Sequence, residues 1–191
     1  MARRKLNRKL KMGMVGGGPG AFIGDVHRKA ARLDGEIELA AGAFDIDPKK
    51  SKKMGRELYL DSERTYGDYK EMIAAEKALP EGERIDFVAV TTPNKWHYPV
   101  ARDFLRAGFH VMCEKPMTMT LREARELKKL VAKTGLVFGL MHNYTGYPMV
   151  KAARDMVAKK KLGKILKVVV RYPQGWLVRP IEKQGNKQAS W

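Results

Sequence analysis

A glycine-rich turn is the feature of this sequence best suited to binding a charged ligand. The apolar run at residues 12–15 leads directly into glycines at positions 16, 17, 18 and 20, and a plausible helix follows. Glycine lets the backbone turn sharply and approach a phosphate, and the free amides at the start of a helix favour negative charge. This order of strand, glycine turn and helix predicts a nucleotide site, although ordinary hairpins and loops also use such turns.

The spacing of the turn allows two alignments with the Gly-x-Gly-x-x-Gly pattern. Gly16 and Gly18 occupy the first two positions in both. Strict counting places Ala21 at the third position, which the Gly/Ala version of the pattern permits. The second alignment treats part of residues 19–22 as an insertion and makes Gly24 the glycine that packs closely against the sheet. We favour the second, because small and apolar residues then open the helix.

An acidic residue follows the second predicted strand, at residues 36–44, about twenty residues beyond Gly24. The carboxylate of Asp45 can accept hydrogen bonds from both ribose hydroxyls and repel a 2′-phosphate, so it favours NAD over NADP. Asp45 and Asp47 could instead only begin the next helix, with Asp47 as N-cap and Pro48 as first residue. Both interpretations can hold together. Four nearby lysines (Lys49, Lys50, Lys52 and Lys53) could bind a 2′-phosphate and keep NADP open.

Strands and helices alternate along the rest of the chain. Helices are predicted at residues 48–58, 66–77, 99–107 and 121–134, and strands at residues 85–91, 109–113 and 136–141. A repeated βαβ order predicts an α/β fold with a doubly wound, mostly parallel sheet of the Rossmann type. Ligands bind such a sheet at the carboxyl ends of its strands.

Polar residues follow three of these predicted strands. They are Thr91, Thr92, Pro93 and Asn94 with His97; Glu114, Lys115 and Pro116; and His142, Asn143 and Tyr144. Each group alone could be a turn or a solvated loop, but together they predict a site at one edge of the sheet. The Lys115 ammonium could hold a substrate hydroxyl and ease the loss of its proton while hydride leaves. The bond before Pro116 is a candidate cis peptide that would direct Lys115 into the cleft.

Composition limits the class of protein. The chain has 191 residues, 44% of them hydrophobic, which is enough to bury a sizeable core. It has no apolar run near the ~18 residues of a membrane span and no signal-peptide core, so we expect a cytoplasmic protein that does not bind membranes. The single cysteine, Cys113, fits a reducing compartment. The net charge of +17 is spread among acids along helical faces, which argues against specific nucleic-acid binding.

These motifs together resemble the glucose-fructose oxidoreductase and inositol dehydrogenase family, written Gfo/Idh/MocA. The resemblance extends from about Lys11 to about Trp176, and its most specific part is the Glu-Lys-Pro at residues 114–116. It also includes the glycine turn, Asp45, the Tyr-Gly-Asp-Tyr at residues 66–69, and the Thr-Pro-Asn at residues 92–94 with His97. In the family this lysine lies beside nicotinamide and substrate, and the Thr-Pro-Asn turn touches the cofactor.

The resemblance and the motifs give one set of expected site residues. Lys115 is the predicted catalytic residue, His142, Asn143 and Tyr144 are predicted to contact substrate, and no metal ion is predicted. The predicted cofactor contacts are Gly16, Gly18, Pro19, Gly20, Phe22, Ile23, Asp45, Thr91, Thr92, Pro93, Asn94, His97, Glu114 and Lys115. The glycine turn is longer than the usual family pattern, so the resemblance does not specify which amides contact the pyrophosphate.

The resemblance also predicts the domain organisation. We expect a basic tail at residues 1–10, a dinucleotide-binding domain at residues 11–146, and the start of a truncated α+β domain at residues 147–191. This last part would hold a crossover helix at residues 149–160 and one strand at residues 165–172, before the large sheet that completes the family's substrate site and supports its oligomers.

The predicted function is therefore the cofactor-binding half of a nicotinamide-dependent oxidoreductase. It would move hydride between NAD and a sugar, cyclitol or related polyol, with a residue outside this chain as the main acid or base. We expect cofactor binding without appreciable turnover by this chain alone, and a homo-oligomer for the full-length protein. The alternative is a non-catalytic nucleotide-binding fragment or module.

Overall fold

The computed structural model describes residues 7–175 and 178–184. The chain forms two compact units, and the boundary between them follows Met141. The first unit contains a parallel sheet and five helices, and the second begins at His142. Residues 1–6 of the predicted basic tail, residues 176–177 and the segment 185–191 lie outside the described residues.

The first unit alternates strands with helices, as the sequence predicts. Its strands are β1 (Leu10–Gly16), β2 (Ile37–Ala43), β3 (Phe87–Thr91), β4 (His110–Glu114) and β5 (Phe138–Met141). Its helices are α1 (Phe22–Arg32), α2 (Pro48–Glu57), α3 (Tyr69–Ala78), α4 (His97–Ala107) and α5 (Leu121–Thr134). The bounds of α5 match the prediction, because a Thr120–Glu123 capping box begins the helix and left-handed Gly135 ends it.

The strand order is β2-β1-β3-β4-β5, and every neighbouring pair is parallel. The chain leaves β1 to form β2 on one side and later crosses to form β3 on the other. The direction of winding therefore reverses between β1 and β3, whose last residues Gly16 and Thr91 are paired. The parallel strand order with this reversal confirms the predicted fold class. Doubly wound sheets bind ligands at such a reversal.

Alternating side chains of the buried strands separate the core into two layers. On β1 and β3, Val15, Val88 and Val90 belong to the larger cluster, which α3, α4 and α5 cover. Met14 and Ala89 belong to a smaller cluster that includes Ala31 of α1 and Met54 of α2. Successive strand residues point to opposite faces, and helices cover both faces of the sheet.

The second unit contains one long helix, α6 (Pro148–Ala158), which corresponds to the predicted crossover helix. The strand predicted at residues 165–172 is not formed: within the described part of the chain this segment has no strand partner, and Leu166, Val168 and Val170 are exposed. A strand is held by hydrogen bonds to a neighbouring strand, so the β-branched composition of this segment was not enough to form one.

Candidate functional site

The glycine turn lies at the end of β1 and passes close to two other strands. Gly16 and Gly17 have positive φ angles of 85° and 72°, which glycine adopts without strain. A Cβ atom at Gly16 would lie 2.8 Å from the Thr91 carbonyl carbon, and one at Gly18 would lie 2.6 Å from the Phe44 carbonyl oxygen. Larger residues would therefore force the turn away from the sheet edge.

Gly24 brings helix α1 against this turn. A Cβ atom at Gly24 would overlap the Cα atom of Gly17, so the two backbones touch. Gly24 is therefore the close-packing glycine, as the favoured alignment predicts. Ala21 precedes the helix as its N-cap and donates its N–H to the Gly18 carbonyl at 3.0 Å. Within residues 7–175, no side chain caps this helix start, so its first amides stay available for an anion.

The remaining predicted glycine-turn contacts are at the surface. Pro19 and Gly20 are exposed, Phe22 is 78% exposed as the first residue of α1, and Ile23 is half-buried. A surface position is compatible with contact to a ligand, but it does not identify one. Their cofactor-binding role stays a prediction.

Asp45 follows β2 beside the glycine turn. Its Oδ1 accepts the Asp47 N–H at 2.9 Å, and its Oδ2 lies 3.5 Å from the position that a Cβ of Gly18 would take. Asp47 accepts the Lys49 N–H at 2.9 Å and caps α2, whose first residue is Pro48. These contacts confirm the capping role predicted for Asp47. The second carboxylate oxygen of Asp45 lies beside the glycine turn.

The loop after β3 is joined to the loop after β4 through His97. The buried imidazole contacts two backbone carbonyls: Nε2 lies 2.9 Å from the Thr92 oxygen and Nδ1 lies 2.6 Å from the Pro116 oxygen. Thr91 donates its hydroxyl to the Val15 carbonyl at 3.2 Å and ties β3 to β1. His97 therefore positions the two loops, and both of its ring nitrogens are engaged in doing so.

Thr92 carries an unusual polar atom. Its Oγ1 is buried, yet it has no hydrogen-bond partner among the described residues. Pro93 precedes a single 3-10 turn at Asn94–Trp96, in which Asn94 is half-buried. Buried hydroxyls are nearly always hydrogen-bonded, so the unpartnered Thr92 hydroxyl is an exception. The cofactor-binding role of Thr92, Pro93 and Asn94 stays a prediction.

Glu114 ends β4 and holds the backbone of Lys115. Its Oε2 accepts the Lys115 N–H at 3.1 Å, and its Oε1 lies 2.8 Å from His27 Nε2 of α1. Burial favours a higher pKa for Glu114, but the His27 hydrogen bond and the charges of His27 and Lys115 outweigh it, so the pKa is lowered. The peptide before Pro116 is cis, as predicted, and the Lys115 side chain is exposed.

Sequence reasoning missed the function of two neighbours on α1. His27 binds Glu114, and Arg28 donates from Nη1 to the Gly17 carbonyl at 3.0 Å. Both are buried. The available signal was their spacing, because positions three and four after Gly24 share the face of the helix that meets the sheet.

The predicted substrate residues belong to the second unit. His142, Asn143 and Tyr144 are exposed, and the latter two lie in a 3-10 turn at Asn143–Gly146. The Tyr144 ring packs edge-on against Tyr147 and Tyr172, at 5.5 Å from each, and its hydroxyl bonds that of Tyr172. Substrate binding by His142, Asn143 and Tyr144 stays a prediction.

Two further observations concern the described residues as a set. No three of their His, Cys, Asp or Glu side chains are grouped so that they could hold a metal ion. None of their helices combines the length and apolar character that a membrane crossing requires.

A parallel sheet with reversed winding, a glycine turn at the reversal and an acid after the next strand define a Rossmann-type dinucleotide-binding protein. Residues 10–142 match the GFO_IDH_MocA model, described as an oxidoreductase family with an NAD-binding Rossmann fold. The chain belongs to this family, as the motifs predict.

Known relatives agree with this membership. The uncharacterized oxidoreductase YfiI of Bacillus subtilis is 37% identical over 174 residues, which are 91% of this chain and 44% of the relative. An inositol dehydrogenase homolog from Azotobacter vinelandii with NAD+ is 37% identical, with a TM-score of 0.90, covering 98% of this chain and 47% of that one. An inositol dehydrogenase homolog from the same organism, solved with NADH and myo-inositol, is 39% identical, with a TM-score of 0.79, covering 84% of this chain and 42% of that one. The chain thus spans less than half the length of these relatives.

Proposed function

We propose that this chain is the NAD-binding half of an oxidoreductase that acts on a polyol or sugar. The observation that carries the proposal is the Oδ2 atom of Asp45 beside the Gly18 backbone, at the winding reversal of the sheet. In this position Asp45 can bind the adenosine ribose while the amides at the start of α1 bind the pyrophosphate.

The structure offers independent observations that fit a dinucleotide. At Gly16, Gly17 and Gly18 any Cβ atom would meet neighbouring protein atoms, so glycine at these positions lets the turn lie close against the strand ends, as a dinucleotide-binding turn requires. The orphaned Thr92 hydroxyl lies at the adjoining strand end and lacks the partner that a bound cofactor would supply. We therefore assign the cofactor contacts to the glycine turn, Asp45 and the loops after β3 and β4.

Lys115 is the residue proposed to act on substrate. Bound NAD would supply the acceptor for hydride. The Lys115 ammonium would hold the substrate hydroxyl and ease the loss of its proton, while Glu114 fixes the Lys115 backbone and His97 fixes the following Pro116 carbonyl. The polyol class is supported by the relative solved with myo-inositol. Turnover, the acid or base that completes it, and homo-oligomer formation are proposals for the whole protein.

We also propose a cytoplasmic location without nucleic-acid partners. The single cysteine of the sequence supports the location, because Cys113 has no second cysteine with which to form an internal disulfide and therefore fits a reducing compartment. The interspersed acids and bases of α5 support the second proposal, because such a face does not concentrate positive charge.

Cofactor preference tests the proposed function. Titration of the chain with NADH and NADPH, followed by nicotinamide fluorescence, should show tighter binding of NADH. Asp45→Asn keeps the acceptor for the Asp47 N–H but removes the charge, so it should narrow the preference by about tenfold. Asp47→Asn is the matched control, since asparagine also caps helices, and it should leave the ratio unchanged.

Two results would contradict this proposal. Equal or tighter binding of NADPH by the unmodified chain would remove the role of Asp45 in selecting NAD. The absence of dinucleotide binding by a folded chain would overturn the site itself. Binding without oxidation of myo-inositol or related polyols is the expected behaviour of this chain alone, because hydride transfer needs a closed, water-poor cleft around the substrate.

A further inference from the structure

We infer that Arg28 is the electrostatic anchor of the cofactor pyrophosphate: a buried cation beneath the glycine turn whose charge the protein leaves incompletely balanced. The inference rests on the proposed dinucleotide site and adds a residue that no sequence pattern assigned. It assigns Arg28 a charge-balancing role toward the bound anion, distinct from the ribose contact of Asp45.

Two contacts below the turn fix the position of Arg28. Its guanidinium Nη1 donates to the Gly17 carbonyl at 3.0 Å and lies 3.5 Å from Met14 Sδ. The guanidinium also lies close to Gly24, because a Cβ atom added there would be 3.2 Å from Nη1. The residue is 7% exposed. Arg28 thus sits between the turn and the sheet, one helical turn behind the amides at the start of α1.

The local charges do not neutralise this guanidinium. Among the described residues Arg28 pairs with the Asp25 carboxylate, at 3.8 Å, but Asp25 is half exposed and makes a shorter ion pair of 2.7 Å with Lys29. Arg32, one turn further along α1, adds positive charge. Burial is the main cause of a lowered pKa for Arg28, Asp25 opposes it, and Arg32 contributes to it.

Burying a cation without an anionic partner costs free energy, and proteins usually pair a buried cation with an anion. A pyrophosphate bound at the start of α1 would supply that partner through a low-dielectric layer in which charge interactions are strong. The hydrogen bond to Gly17 has a second effect: it holds the carbonyl inward, so that the amides of the turn are left for the ligand. The first effect depends on charge and the second on a donor, so substitutions can separate them.

The experiment compares three substitutions at one position. Arg28→Lys keeps the charge, Arg28→Gln keeps a donor without charge, and Arg28→Met keeps only the apolar stem. NADH and ADP-ribose carry the pyrophosphate, and adenosine is the uncharged probe. Arg32→Gln is the matched control, because it removes an exposed charge from the same helix.

The charge role predicts a specific pattern. Arg28→Gln and Arg28→Met should weaken NADH and ADP-ribose binding at least about tenfold, while Arg28→Lys stays within about threefold of the unmodified chain. Adenosine binding, followed by NMR, should be unchanged in all variants that bind it. Arg32→Gln should change NADH affinity by less than about twofold. The thermal stability of unliganded Arg28→Met should equal or exceed that of the unmodified chain, because a desolvated charge is removed.

Other patterns would overturn the inference. If Arg28→Gln binds NADH normally and Arg28→Lys does not, the donor to Gly17 is what matters and the charge role is wrong. If all three substitutions weaken adenosine as much as NADH, Arg28 has only a structural role. Circular dichroism checks folding, and should Arg28→Met not fold, the comparison of lysine with glutamine still decides. If the unmodified chain binds none of the three probes, the proposed function fails and the Arg28 inference fails with it.

Discussion

Two buried ionic groups in the first unit differ in how completely the protein satisfies them. Glu76 on α3 is fully buried, and its two oxygens accept hydrogen bonds from Arg64 Nη2 at 2.5 Å, Arg64 Nε and Tyr66 Oη at 3.0 Å, and the Ile85 N–H at 2.9 Å. These bonds occupy the accepting capacity of a carboxylate. Arg28 below the glycine turn lies 3.8 Å from the Asp25 carboxylate and donates one hydrogen bond to the Gly17 carbonyl.

The comparison separates structural from functional charge. The Glu76 network needs nothing from outside the chain and connects α3 to the loop before β3 and to the segment before α3. In the proposed site, a bound pyrophosphate would complete the Arg28 environment. If so, a buried charge that the fold leaves unbalanced points to the ligand better than burial alone does.

Breaking the Glu76 network should have the largest effect on stability. Glu76→Ala leaves the Arg64 charge and two donors without their acceptor, so the free energy of unfolding should fall by about 3–5 kcal/mol. Urea unfolding followed by circular dichroism measures this loss. Glu81→Ala, at an exposed residue nearby, should cost less than about 0.5 kcal/mol. A loss below about 1 kcal/mol for Glu76→Ala would show that the network is not a structural unit.

The His27–Glu114 pair should have an intermediate, pH-dependent effect. The pKa of Glu114 is lowered in the folded state from its ordinary value of 4.5, so its stabilising contribution is present above that value and is lost as pH falls through the lowered one. The free energy of unfolding should therefore fall more steeply between about pH 5 and 3 in the unmodified chain than in Glu114→Gln, by about 1 kcal/mol.

Unfolding in urea at several pH values measures this difference. Glu81→Gln, at a carboxylate in solvent, should leave the slope unchanged. Identical acid slopes for Glu114→Gln and the unmodified chain would refute the coupling between α1 and the end of β4.

An exposed ion pair should have the smallest effect. Arg122 and Glu126 on α5 lie 3.9 Å apart, and their side chains are 86% and 49% exposed. Arg122→Ala should change the free energy of unfolding by less than about 0.5 kcal/mol, since water screens the pair. Urea unfolding in low and high salt measures it. A loss above about 1 kcal/mol would place this pair in the same class as the buried groups and weaken the comparison.

Local patterns in the sequence predicted most of the first unit. The Thr120–Glu123 capping box and Gly135 set both ends of α5, and the apolar runs after residue 85 located β3 and β4 to within two residues. The residues that follow the strands could also be predicted, because turns and helix caps depend on residue types at neighbouring positions in the sequence. Gly24 was identified as the packing glycine from spacing alone.

The sequence by itself thus determined the α/β order, the glycine turn, the strand-end motifs and the family. Only the tertiary structure decided which side chains meet, because contacts such as His27–Glu114 join residues 87 positions apart and leave no periodic signal. It also decided against a strand at residues 165–172, whose composition suits a strand but which has no ladder partner among the described residues. Local propensity depends on neighbours in sequence, whereas strand pairing and the balance of buried charge depend on neighbours in space.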